Sequence, residues 1–170
     1  MKFVFAARAA ISFGVGIFIT FNQSHSAATG LFALAIFGIG YAALNGIGSA
    51  VWGKGLFSLE NFPLTLAAMI IGLAALLVPA TDPEASALVF VYLVTGWGLI
   101  AGAFEMYLAR RSGFATRLGK DSLISASLSL LVGLLFLAVP LDIISAVGFF
   151  GAYLVLSAVH LGISATTPNK

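Results

Sequence analysis

The chain is a succession of six long apolar stretches, each closed by a turn signal. They lie near Phe3–Phe21, Ala27–Val51, Phe62–Val78, Ala85–Ala109, Ser122–Val139 and Ile143–Ser164. Roughly 20 apolar residues suffice to cross a bilayer as a helix, so the pattern predicts an all-α membrane protein with six transmembrane helices. Several starts carry helix-cap chemistry. Asp82-Pro83-Glu84 offers an N-cap side chain, a proline at the first helical position and an acid in the first turn. Asn61 precedes Pro63 in the same manner, and Asp142 follows Pro140 ahead of the last stretch. The run after Met1-Lys2, ending at Ser24-His25-Ser26, has the outline of a signal peptide with a small-x-small cleavage site; we expect it to be retained as the first span.

Composition sharpens this reading. Of 170 residues, 61% are hydrophobic and 8% charged, against about 25% charged in a soluble domain, and the mean hydropathy is +1.11. Six spans leave room for short loops only, so residues 1–170 read as a single membrane domain with no extramembrane module. The absence of cysteine removes disulfides, thiolate metal sites and thiol nucleophiles. His25 and His160 are the only histidines, one in a predicted loop and one near the end of the last helix, so no metal site and no cofactor is expected. Neither paired carboxylates nor a nucleophile–base set is apparent, and enzymatic activity is not expected.

The net charge of +2 is better read as topology than as affinity for nucleic acid, and no nucleic-acid partner is expected. The N-terminus, the loops after spans two and four, and the C-terminus share one side. That side holds Lys2, Arg8, Lys54, Arg110, Arg111, Arg117, Lys120 and Lys170, whereas the opposite loops carry Asp82, Glu84 and Asp142. The positive-inside rule therefore predicts cytoplasmic termini.

Glycines mark an internal repeat of three helical hairpins, at about 3–51, 62–109 and 122–164. Gly16, Gly40 and Gly46 of the first recur with constant spacing as Gly72, Gly96 and Gly102 of the second. The run from Gly72 to Pro79 parallels that from Gly133 to Pro140, after which Gly96 meets Gly151 and Gly102 meets Ser157. Gln23 stands where the first unit lacks the turn proline. With the basic exit Ala109-Arg110-Arg111, this pattern resembles the HdeD-like family of small bacterial membrane proteins, over nearly the whole chain. The resemblance implies a multi-pass protein of the bacterial cytoplasmic (inner) membrane associated with acid or envelope stress. It supplies no catalytic residues.

Small residues recur at helical spacing: Gly38, Ala42, Gly46 and Ala50; Gly98 and Gly102; Ser122, Ser125, Ser129 and Gly133. Such stripes let helix backbones approach in lipid. They serve packing within the chain or a face for a homo-oligomer or a larger membrane complex. Glu105 is the only acid inside a predicted span, and the repeat aligns it with His160 and Ser49. Two readings stand for Glu105 and His160, pH sensing or a structural ion pair with Arg8, Arg110 or Arg111. Asn45 is expected to hydrogen-bond between helices. Arg110, Arg111, Arg117 and Lys120, interleaved with Phe114 and Leu118, form a basic loop suited to anionic lipid headgroups, with a cytoplasmic protein as the other candidate partner. Trp52 and Phe57 have the character of interfacial anchors. Three functions follow: a non-enzymatic HdeD-like stress protein, an accessory subunit of a larger membrane complex, or a proton or small-solute channel or transporter.

Overall fold

Each apolar stretch folds as an α-helix, the one open structure that satisfies every backbone polar group inside lipid. The computed structural model describes residues 2–52, 61–79 and 81–167. Within them lie α1 (Lys2–Phe21), α2 (Ala27–Trp52), α3 (Phe62–Leu77), α4 (Pro83–Ser112), α5 (Arg117–Ala138) and α6 (Ile143–Thr166). Lys54, Phe57 and Lys170, and the side chains of Lys2, Ser49 and Trp52, lie outside the described residues. All helices but α3 are long and apolar enough to cross a membrane. With 16 residues, α3 is about 24 Å long at 1.5 Å per residue, short of the roughly 30 Å hydrocarbon core. Large apolar side chains such as Phe13, Leu131 and Ile163 point outward. The whole is an apolar helical bundle consistent with a multi-pass integral membrane protein.

Cap chemistry explains where the helices begin. Asp82 accepts from the amides of Glu84 and Ala85 at 3.0 and 3.1 Å, and Asp142 accepts from Ser145 at 3.0 Å. Hydrogen bonds from the Ser145 hydroxyl and amide hold the exposed Asp142 carboxyl below the usual carboxylate range. Asn61 departs from the expected pattern: its side chain makes no cap bond, because Arg8 claims it. The expected basic loop is also largely helical. Gly113, at a φ of +85°, ends α4 only after Arg110 and Arg111, and Thr116 caps α5 by accepting from the Gly119 amide at 3.0 Å. Arg117 and Lys120 therefore sit in the first turn of α5, leaving 113–116 as the connection.

The tightest pairings are α4 with α5, α1 with α6, and α2 with α3, while α2, α4 and α6 also touch one another. Each tight seam is set by missing side chains. A Cβ on Gly98 would lie 2.6 Å from the Cα of Gly133, and one on Gly38 would lie 2.7 Å from that of Gly72. On Gly16 it would lie 3.1 Å from the Val155 nitrogen. Gly102 packs on Leu130 and Gly151 on Ile19, also too closely for a Cβ. Other repeat glycines behave differently. Gly40 faces only the flexible end of Ile11, Gly46 has slack beside Thr65, and Gly96 has nothing within 4 Å. Gly96 thus leaves the expected packing set, whereas Gly38, expected from its small-residue stripe, is in close contact. Between the inner helices, Phe37, Trp97, Phe150 and Phe90 interlock edge to face, with Phe37 and Trp97 centroids 5.2 Å apart.

Candidate functional site

A guanidinium inside an apolar helix bundle must find partners for its N–H groups, since lipid offers none. Arg8, on α1, is 2% exposed and reaches three other elements. Its Nε donates to Asn45 Oδ1 on α2 at 2.8 Å. Nη2 donates to Asn61 Oδ1, just before α3, at 2.8 Å. Nη1 donates to Glu105 Oε1 on α4 at 3.1 Å, completing a buried ion pair. The guanidinium also lies 5.2 Å from the centroid of the Tyr41 ring, within the range of a cation–π contact. Planar and forked, it can satisfy several acceptors at fixed angles, which a lysine cannot.

The cluster extends one step further. Asn45 Nδ2 donates to Thr65 Oγ1 at 2.6 Å, and that hydroxyl donates to the Asn61 carbonyl at 3.0 Å. Helices α2 and α3 are therefore tied together about two turns from their glycine seam, at the Asn61 end of α3. Among the described residues, Asn61 Nδ2 is the only buried side-chain polar atom without a partner. The arrangement binds four segments through one cation, and its acceptors carry a single formal negative charge. Neutralising Glu105 would leave Arg8 with neutral partners only.

A second polar group lies among the inner helices. Trp97 Nε1 donates to the Tyr153 hydroxyl at 3.0 Å, and that hydroxyl shares a hydrogen bond with Ser129 Oγ at 3.1 Å. Trp97, Tyr153 and Ser129 stand on α4, α6 and α5, so this group ties α4 to the two helices that the arginine cluster leaves out. Between the two groups is a cavity of about 30 Å³ whose walls include Arg8, Glu105, Tyr41, Ser129, Tyr153 and Ser157.

The sequence-derived candidates are only partly assembled here. Glu105 pairs with Arg8 and not with Arg110 or Arg111, which continue α4. His160 hydrogen-bonds through Nε2 to the Asp121 carbonyl at 3.0 Å, so the two aligned residues serve different contacts. Arg117, expected at lipid headgroups, donates to the Ser164 and Thr167 carbonyls at 3.1 and 3.0 Å and so caps the C-terminal end of α6. Arg111 donates to the Tyr107 hydroxyl at 3.0 Å, and Arg110 and Lys120 are exposed. Asn61, Tyr41 and the Trp97–Tyr153–Ser129 group were not anticipated. One signal pointed to the hub: Arg8 is the basic residue embedded in the first apolar stretch, and an isolated intramembrane cation implies an anion. No group of three or more His, Asp or Glu side chains suited to a metal occurs among the described residues. No family model, curated protein or solved structure matches the chain.

Proposed function

We propose that this chain is a non-enzymatic, HdeD-like protein of the bacterial cytoplasmic membrane that acts in acid or envelope stress. In this reading both termini are cytoplasmic and the bundle is a threefold repeat of helical hairpins. The repeat is supported by the three glycine seams. Gly16, Gly72 and Gly133 each abut an inner-helix backbone, at Val155, Ile39 and Leu99. Each seam joins the second helix of one hairpin to the first of the next, and α6 with α1 closes the ring.

The observation that carries the functional reading is the buried Arg8–Glu105 pair. It is an intramembrane ion pair outside any recognisable catalytic set, placed where protonation of one carboxylate removes the only negative charge in a four-segment junction. Acid then weakens the hold of α4 on α1 and α2 without dissolving the Asn45 and Asn61 contacts. The test is survival of acid challenge in a deletion strain complemented with the wild type or Glu105→Gln. Loss of protection with Glu105→Gln, at equal membrane abundance, is expected. Full protection by Glu105→Gln would remove the acid role.

A second reading, an accessory subunit, draws on one feature. An apolar groove of about 590 Å³ runs between α1 and α6, lined by small residues including Ala6, Ala9, Ala10, Ala158 and Gly162, the lining that close helix approach requires. Co-purification of a stoichiometric larger complex in mild detergent would favour it. The channel reading has less support, because the polar lining is confined to one small cavity.

A further inference from the structure

The cavity between the two polar groups has the chemistry of a binding site in its own right. Its volume of about 30 Å³ exceeds the roughly 10–15 Å³ that one water needs by the same measure and is close to that of two. The walls decide among small occupants. Arg8 places a positive charge there, which disfavours a metal cation, and the Glu105 carboxylate disfavours an anion. What remains are hydroxyl donors and acceptors from Ser129, Ser157, Tyr41 and Tyr153, the two to four polar partners that hold a neutral water.

Glu105 itself calls for such a partner. Arg8 takes Oε1, while Oε2 accepts no hydrogen bond among the described residues and, unlike Asn61 Nδ2, is not fully enclosed by protein. A half-satisfied carboxylate inside an apolar bundle is costly, and Glu105 lines the cavity from which it can be satisfied. On the other side, the Tyr153 hydroxyl accepts from Trp97 and exchanges a hydrogen bond with Ser129, so it is polarised and fixed in orientation.

We propose that this cavity is a resident-water site, holding one or two waters that hydrogen-bond the Glu105 carboxylate to the hydroxyls around Tyr153. The site makes the Arg8 cluster and the Trp97–Tyr153–Ser129 group one continuous network across α1, α2, α4, α5 and α6. The site stands apart from the acid-stress reading, since structural water there requires no physiological role.

The test is radiolytic labelling of the whole chain in lipid nanodiscs, in water enriched in oxygen-18, with peptide mass spectrometry. Water trapped beside a side chain oxidises it on irradiation even where bulk solvent is excluded. Tyr153, Trp97 and Tyr41 are expected to take up label severalfold faster than Phe90, a buried aromatic ring outside the cavity, and Trp97, at 2% exposure nearly as enclosed as Phe90 at 0%, is the closest comparison. Ser157→Leu, which fills the cavity from a half-buried position, is expected to reduce labelling of Tyr153 selectively. Tyr153 and Tyr41 as inert as Phe90 would overturn the proposal, and so would equal labelling of all four. The wild-type comparison decides this alone if Ser157→Leu does not fold. Selective label together with full acid protection by Glu105→Gln would leave the water site standing and remove only the acid role.

Discussion

Replacing Arg8 with methionine keeps most of the side-chain volume and deletes the hub. The structure sets two estimates against each other. Counted as three ordinary interhelical hydrogen bonds, at an average of about 0.6 kcal/mol each in a membrane protein, the loss is roughly 2 kcal/mol. Counted as a broken buried ion pair, it is about 3–5 kcal/mol, because a carboxylate is left without its cation. Both side chains of the pair are nearly inaccessible, at 3% and 9% exposure, so solvent does little to screen the remaining charge. We therefore expect the larger value for Arg8→Met. Glu105→Gln should cost less: it leaves the Arg8 charge without its anion, but the amide oxygen, Asn45 and Asn61 still accept from all three guanidinium nitrogens. The double variant Arg8→Met/Glu105→Leu should fall short of the sum of its single changes by at least about 1 kcal/mol, as expected for residues in direct contact. The assay is equilibrium unfolding in mixed micelles with a rising fraction of denaturing detergent, followed by circular dichroism. A loss of roughly 2 kcal/mol or less for Arg8→Met, or strict additivity in the cycle, would refute the view that charge holds the junction.

The glycine seams make a sharper contrast than small-residue stripes alone would suggest. Gly98→Leu and Gly133→Leu should each lower the thermal midpoint in detergent far more than Gly96→Leu on the same α4, and equal sensitivity at 96 and 98 would mean that close approach is not what glycine provides. Orientation is open to cysteine labelling, since the chain has no native thiol. Ser24→Cys should react with an impermeant reagent from outside and Ser112→Cys only after lysis; the reverse pattern would invert the topology.

Local signals carried the helices and positioned them closely. Hydrophobic length located all six, and Asp82 and Asp142 cap where their side chains suggested they would, because a cap is decided within three residues of sequence. The misjudged boundaries lie where basic residues resemble a loop. Arg110 and Arg111 are good helix formers and favourable at a helix C-terminus, so α4 runs on past its apolar stretch. The candidate site was less legible for a different reason. Glu105 stood out as a lone acid, but its partner lies 97 residues away, and nothing local distinguishes Arg8 from Arg110 as that partner. Asn61 misled through its own chemistry: it sits where a capping residue belongs, and tertiary structure spends its side chain elsewhere. The Trp97–Tyr153–Ser129 group has no sequence signature, because aromatic residues in apolar helices are ordinary until three helices bring their polar atoms together. The glycine repeat located Gly16, Gly72 and Gly133 but named no partners for them, since spacing along one helix does not fix where the next one crosses it.

The span of sequence between Arg8 and its partner also bears on how the protein is made. The first helix enters the membrane carrying an arginine whose anion has yet to be synthesised. Asn45 and Asn61 arrive next and offer neutral acceptors; Glu105 follows only when the fourth helix is nearly complete. An arginine at the centre of an isolated spanning helix opposes insertion by about 2.5–3.5 kcal/mol, so a position near the end of α1, within reach of the aqueous boundary, lets the nascent chain wait. The seam between Gly16 and Val155 imposes a second delay, because the first helix is sheltered from lipid on that side only once the last has been threaded in. Biogenesis is thus ordered from both ends, and chains released early would present an unpaired cation and an open glycine face to whatever quality control patrols the membrane.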